Sequence, residues 1–142
     1  MDGTRIAKLG KYLENILETL NSKYKKINAD FLGLEINNYS LDKIPTISTI
    51  EPYITGGGLY RDVFSFRSRN PYSSDRLNNL KNIGFFEEFE KIIRSNNEEG
   101  ILPKIDGIES IACLNSGTFN YADQSLKTAV FDIQIQITYE ED

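Results

Sequence analysis

From about Leu126 to Tyr139 the chain alternates with a period of two: Ala129, Phe131, Ile133, Ile135, Ile137 and Tyr139 share one parity, while Thr128, Asp132, Gln134, Gln136 and Thr138 occupy most of the other. Successive strand side chains point to opposite faces, so this pattern predicts a strand with one face under a packed apolar layer and one polar face. The polar side is almost uncharged. That suits a surface that touches another subunit or lines a wet channel, and Asp132, Gln134 and Gln136 are its candidate residues; a solvated sheet face would show the same pattern.

A strand of this kind needs something to cover its apolar side, and two segments can do so. From Thr4 to about Tyr24, Ile6, Leu9, Leu13, Ile16, Leu17 and Leu20 form one stripe at helical spacing, with Thr4 or Asp2 placed to cap the first turn. From about Ser74 to Asn97, Leu77, Leu80, Ile83, Phe86, Phe89, Ile92 and Ile93 form a second stripe, interrupted by Gly84, where the helix can break. Between them, Leu59 to Asn70 alternates again: Tyr60, Phe64 and Phe66 on one face, Arg61, Ser65, Arg67 and Arg69 on the other. Asn70-Pro71 ends that strand, since proline donates no ladder hydrogen bond.

The rest of the chain is less regular. Short apolar pieces, Phe31 to Ile36 and Ile44 to Ile54, are broken by Asn37-Asn38, Pro45 and Pro52, and Gly56-Gly57-Gly58 reads as a turn between antiparallel strands. Ile105 to Leu114 and the aromatics Phe119 and Tyr121 lead into the closing strand. The expected fold is therefore α+β: a mixed or antiparallel sheet of about four to five strands flanked by two main helices. At 142 residues, 39% of them hydrophobic, the chain suits a single domain spanning 1–142. No apolar run approaches the length of a membrane span, and no secretory leader pattern opens the sequence, so a cytosol-like setting is expected.

The composition removes most catalytic chemistry. There is no histidine, which excludes the Ser-His and Cys-His nucleophile systems and the commonest metal ligand, and no metal or cofactor site is expected. The one cysteine, Cys113, lies in the apolar run Ile111 to Leu114 and reads as a small core residue rather than a nucleophile. The acidic groups Glu87-Glu88, Glu98-Glu99 and Glu140-Glu141-Asp142 sit on helix faces or at ends, poorly placed for paired-acid catalysis. We therefore expect a protein that is not an enzyme.

Charge is uneven: residues 1–26 carry six Lys or Arg against three Asp or Glu, and residues 98–142 carry two against nine. Such polarity can steer the basic part of one copy onto the acidic part of the next, an arrangement that closes rings; two solvated faces would look the same. Arg61, Arg67 and Arg69 are the candidate intersubunit interface, each awaiting a neighbour's carboxylate. A grip on nucleic-acid phosphates is the competing reading of those arginines, opposed by the net charge of -5.

The order of features, Tyr53 to Gly58, a strand ending Phe64-Ser65-Phe66-Arg67-Ser68, a helix through Phe85-Phe86-Glu87-Glu88-Phe89, then Leu102-Pro103, Ile108 to Leu114 and the strand Thr128 to Tyr139, resembles the minor capsid or tail terminator-like proteins of tailed bacteriophages and phage-tail-like bacteriocins. The likeness covers about residues 46–139 and rests on element order rather than on an invariant motif. It implies a subunit of a hexameric homo-oligomeric ring that caps the tail tube, halts its polymerisation and offers a joining surface to the head. Implied partners are the tail tube protein, with sheath protein and the head-neck connector beyond it, and DNA passing through the lumen without specific binding. The implied location is the tail of a virion or particle, contractile or not, assembled in the host cytoplasm. A neck or head-completion connector is the nearest alternative, a nucleic-acid-binding regulatory module the next.

Overall fold

The computed structural model describes residues 4–20, 27–29, 38–71, 76–115, 117–123 and 128–142. Along the chain they form α1 (Arg5–Thr19), β1 (Asn28–Ala29), β2 (Asn38–Ile44), β3 (Thr49–Pro52), β4 (Gly58–Pro71), α2 (Arg76–Glu99), β5 (Ile108–Cys113), β6 (Thr118–Asp123) and β7 (Thr128–Glu141). The fold is α+β, as the two periodicities predict. The expected piece at Phe31 to Ile36 lies outside the described residues, as do Asp2 and the end of the first helix beyond Leu20.

The frame is the pair β4 and β7, antiparallel along their whole length from Gly58 opposite Glu141 to Pro71 opposite Thr128. The main path of the sheet runs β1-β2-β4-β7-β5, five strands, and two short strands extend its edges: β3 pairs with β4 and β6 with β7, making seven. All pairings are antiparallel except that of β1 with β2. β2 and β3 thus succeed each other along one edge of β4, and β5 and β6 along the opposite edge of β7.

Directly opposed residues point to the same face. Phe64 faces Ile135 and Phe66 faces Ile133, while Leu41 of β2 faces Phe66 and Ile111 of β5 faces Ile137. These side chains and Leu9, Leu13, Ile16 and Leu17 of α1 and Phe86, Phe89 and Ile93 of α2 form one buried cluster. Both helices therefore cover the same side. Phe66 is the centre of an aromatic stack, with ring centroids 5.5 Å from Tyr39 and 5.2 Å from Phe89. Val63 and Val130, of the opposite parity, are buried yet lie outside that cluster.

Local chemistry sets the element ends. The Thr4 hydroxyl accepts from the Ala7 N–H at 3.3 Å and caps α1. α2 runs without a break through Gly84, then stops where Gly100 takes φ +75° and the Ile101 N–H returns to the Asn96 carbonyl. Tyr12 fastens the helices together: its hydroxyl donates to the Ile101 carbonyl at 2.7 Å and accepts from Asn96 at 3.1 Å. Gly57 and Gly107, at φ +70° and +74°, let two turns lie against the main chain of Glu141 and Glu140, where a Cβ would collide.

Candidate assembly surface

Because Arg61, Ser65, Arg67 and Arg69 sit at odd positions of β4 and Asp132, Gln134, Gln136 and Thr138 at even positions of β7, the register brings both sets onto one face, the one no described helix covers. Arg67 is opposite Asp132, Ser65 opposite Gln134 and Arg61 opposite Thr138. Asp42 and Ser40 of β2 join them, opposite Ser65 and Arg67. The two groups of candidate residues, read separately from two strands, are a single surface.

That surface is internally paired. Arg67 Nη2 lies 2.8 Å from Asp42 Oδ2, both partly buried. The Ser65 hydroxyl donates to Asp132 Oδ1 at 2.7 Å. The Gln134 N–H donates to the Asn115 side-chain oxygen at 2.7 Å. Arg61 Nε donates to the Ile47 carbonyl at 3.0 Å. Arg69, only 3% exposed, donates from Nη1 to the Thr128 hydroxyl at 2.9 Å. Each arginine proposed for a neighbouring copy thus has a partner within its own chain, and Arg69 is shut away from any other molecule.

Charge on the face is close to balanced. Three arginines share the face with Asp42 and Asp132, and Glu51 and Glu140 lie at the rim, where the Tyr53 hydroxyl donates to Glu140 Oε2 at 3.1 Å. The weakly acidic wall expected from β7 alone becomes a near-neutral one, because β4 lays its arginines beside it. The face is also graded: Ser40, Arg69, Thr128 and Val130 are buried at one end, and Arg61, Gln136 and Thr138 are half-buried towards the other.

On the helix side, one charged group sits where the alternation calls for an apolar residue. Asp62, 2% exposed, points into the covered face between Tyr60 and Phe64. Arg5 of α1 meets it, Nε to Oδ2 at 2.6 Å, while Lys43 Nζ and the Tyr139 hydroxyl each reach Oδ1 at 3.4 Å. The Arg5 guanidinium also lies 4.5 Å over the Tyr139 ring and 3.9 Å from Glu141. Burial acts to lower the Arg5 pKa, but its hydrogen bond and attraction to Asp62, with Tyr139 and Glu141 behind, hold it above the ordinary value. Burial, then the Asp62 carboxylate, pushes the Tyr139 phenol up. This cluster pins the start of α1 to the end of β7. It also brings Arg5, from the basic N-terminal stretch, onto Tyr139 and Glu141 of the acidic C-terminal stretch within one copy. An aspartate at the apolar phase of β4 was the available signal for it.

Cys113 lies on the covered face, partly buried, and desolvation with the nearby Glu90 pushes its thiol up to about 12 against a smaller opposing effect of Arg94. It is a protonated packing residue at neutral pH, in line with its sequence context. Among the described residues, no group of three or more Cys, Asp or Glu side chains is arranged to hold a metal, and no helix is long and apolar enough to cross a membrane. No family model matches the chain, and neither a curated protein nor a solved structure matches it.

Proposed function

We propose that the chain is a structural, non-enzymatic ring subunit of a phage tail or phage-tail-like particle, one that caps the tail tube, stops its polymerisation and presents a joining surface towards the head. The observation that carries this reading is the one-sided sheet: both helices and the apolar cluster lie on one face of β4 and β7, and the other face is mostly polar and near-neutral, with Arg67 on Asp42 and Ser65 on Asp132 paired across strands while Ser40 Oγ and Arg67 Nε are buried without a hydrogen-bond partner. A wall of that kind suits a lumen, because its arginines are held by Asp42, the Ile47 carbonyl and Thr128 and offer few unpaired cations to passing phosphates. The same pairings disfavour the nucleic-acid-binding module.

In this reading Ser65, Asp132, Gln134 and Gln136 face the channel or the next ring, and the subunit adds a sheet to the tube while lacking the surface that recruits a further ring. Its partners are copies of itself, the tube protein and the head-side connector. The test is to image particles assembled without the protein. Overlong tubes support a terminator. Tails of normal length that fail to join heads assign it to the connector instead. Particles of normal length that join normally overturn both.

A further inference from the structure

The strand pairings in the two halves of the chain repeat one another. Each half runs helix, two short strands, one long strand: α1, β2, β3 and β4 in the first, α2, β5, β6 and β7 in the second, and both long strands have 14 residues. In each half the first short strand pairs with the C-terminal part of its long strand and the second with the N-terminal part. The match extends to single residues. Leu41 opposite Phe66 becomes Ile111 opposite Ile137, where 111 less 41 is 70 and 137 less 66 is 71. The same two offsets turn Lys43 opposite Phe64 into Cys113 opposite Ile135, and Thr49 opposite Tyr60 into Phe119 opposite Phe131. The bulge of β3 at Thr49/Glu51 returns in β6 at Phe119/Tyr121. Among the described residues, β1 belongs to the first half alone and the bulge at Ile108/Ser110 to the second.

A bulge moves every side chain beyond it to the other face, so the same bulge against the same long-strand position is a constraint on register and not a likeness of composition. The halves are related by a rotation. Phe64 is opposite Ile135, and 135 less 64 is 71, so the residue facing Phe64 is its own equivalent. A two-fold axis normal to the sheet at that pair exchanges the halves and leaves both helices on one side, where their buried residues join a single cluster. The axis also requires α1 to start where β7 ends, because α2 starts at Arg76, shortly after β4 ends at Pro71. Arg5 meets that requirement: it lies 3.9 Å from Glu141 and 4.5 Å over the Tyr139 ring, although no peptide bond links the two places.

We propose that the chain is two copies of one α-β-β-β unit in tandem, residues 4–71 and 76–142, and that the β4–β7 seam is an isologous interface whose partner is a second unit of the same kind. The seam holds the units together through more than its ladder, since Phe89 of the second unit stacks on Phe66 of the first with ring centroids 5.2 Å apart. Equivalent core positions stay apolar: Leu41 corresponds to Ile111, Phe64 to Ile135 and Phe66 to Ile137. On the polar face the charges reverse, Arg61 corresponding to Asp132 and Arg69 to Glu140. The repeat is thus one of backbone and core rather than of surface, which removes the self-similarity by which repeats announce themselves in sequence. The seam lies within one copy, so the proposal is independent of the ring reading.

The experiment is circular permutation of the full chain, with Asp142 joined to Met1 through a short Gly-Ser linker and the chain reopened either between Pro71 and Arg76, at the unit boundary, or between Ile44 and Thr49, inside the first unit. Both permutants carry the same new join, so only the place of opening differs. The boundary permutant is expected to melt within about 5 °C of the wild type and the interior one at least about 10 °C below it. A second measurement uses the native chain order, with a protease site inserted between Pro71 and Arg76 and cut after folding. The two pieces are expected to sediment as one species, and light and isotopically heavy cut protein, unfolded in urea and diluted together, to return as hybrids of both kinds. A boundary permutant that melts as low as the interior one or fails to fold, cut pieces that separate without denaturant, or a refolded mixture without hybrids overturns the proposal.

Discussion

The two faces of the β4–β7 pair are built from alternate residues of the same two strands, yet different forces hold them. The covered face is a layer of Phe64, Phe66, Ile133, Ile135 and Ile137 closed by two helices, and its cohesion comes from apolar area removed from water. The other face is held by Arg67 with Asp42 and Ser65 with Asp132, pairs worth about 1 kcal/mol or less each at partial exposure. The contrast teaches that a polar face is not thereby an adhesive one. Its charges are largely answered within the chain, and the most exposed large apolar side chains, Ile47 and Ile54, lie instead in the connections that flank β3.

Truncation across the sheet gives the largest contrast. Phe66→Ala removes the middle ring of the Tyr39–Phe66–Phe89 stack and is expected to cost about 3–5 kcal/mol, while Gln134→Ala on the opposite face stays within about 0.5 kcal/mol; chemical denaturation of both variants checks the pair. Equal losses would mean that the polar face is packed as tightly as the apolar one. Next is thiol chemistry across one strand. With its thiol pushed up to about 12, native Cys113 should react with a thiol reagent at pH 8 more slowly, by on the order of 10³, than the exposed cysteine of an Ala112→Cys, Cys113→Ala protein. The same shift has a sign in stability. The fold keeps a proton that the unfolded chain releases near the ordinary thiol value, so Cys113 lowers stability as pH rises from there towards about 12, a slope that Cys113→Ala removes.

A smaller effect probes the buried carboxylate on the covered side. Asp62→Ala deletes the carboxylate that receives Arg5 and Lys43, and since both cations keep access to water, the expected loss is about 1–3 kcal/mol, with the N-terminal turn of α1 losing amide-exchange protection first. If that variant loses as much as Phe66→Ala, the cluster belongs with the core rather than with the helix end. The smallest change touches neither face. A Cβ at Gly84 would meet nothing within 4 Å, so Gly84→Ala is expected to add about 0.5–1 kcal/mol to stability, read as a higher thermal midpoint.

How far these features were legible depended on where periodicity survived. β7 and β4 alternate without interruption through most of their length, and α1 carries an unbroken stripe, so their type, extent and buried sides follow from the sequence. β6 did not announce itself as a strand, because a bulge between Phe119 and Tyr121 changes its parity; bulges do the same within β3 and β5. The polar faces of β4 and β7 were each readable, but their identity as one face was not. That depends on which residue opposes which, a fact of register that no single strand contains. For the same reason Asp42, two strands from Asp132 and far from Arg67 in sequence, was invisible as the partner of that arginine, and the expectation of intersubunit arginines followed from seeing the cations without it.

The pairing of β4 with β7 also governs the order in which the molecule can be made. β7 supplies the partner for β4 on one side and for β5 and β6 on the other, so a chain emerging from the ribosome holds every other strand before it holds the strand that joins them. Until residues 128–141 leave the exit tunnel, the apolar sides of β4 and α2 have no middle strand to close over them. Nascent chains should therefore stay open until β7 emerges, rather than folding gradually as the earlier strands appear.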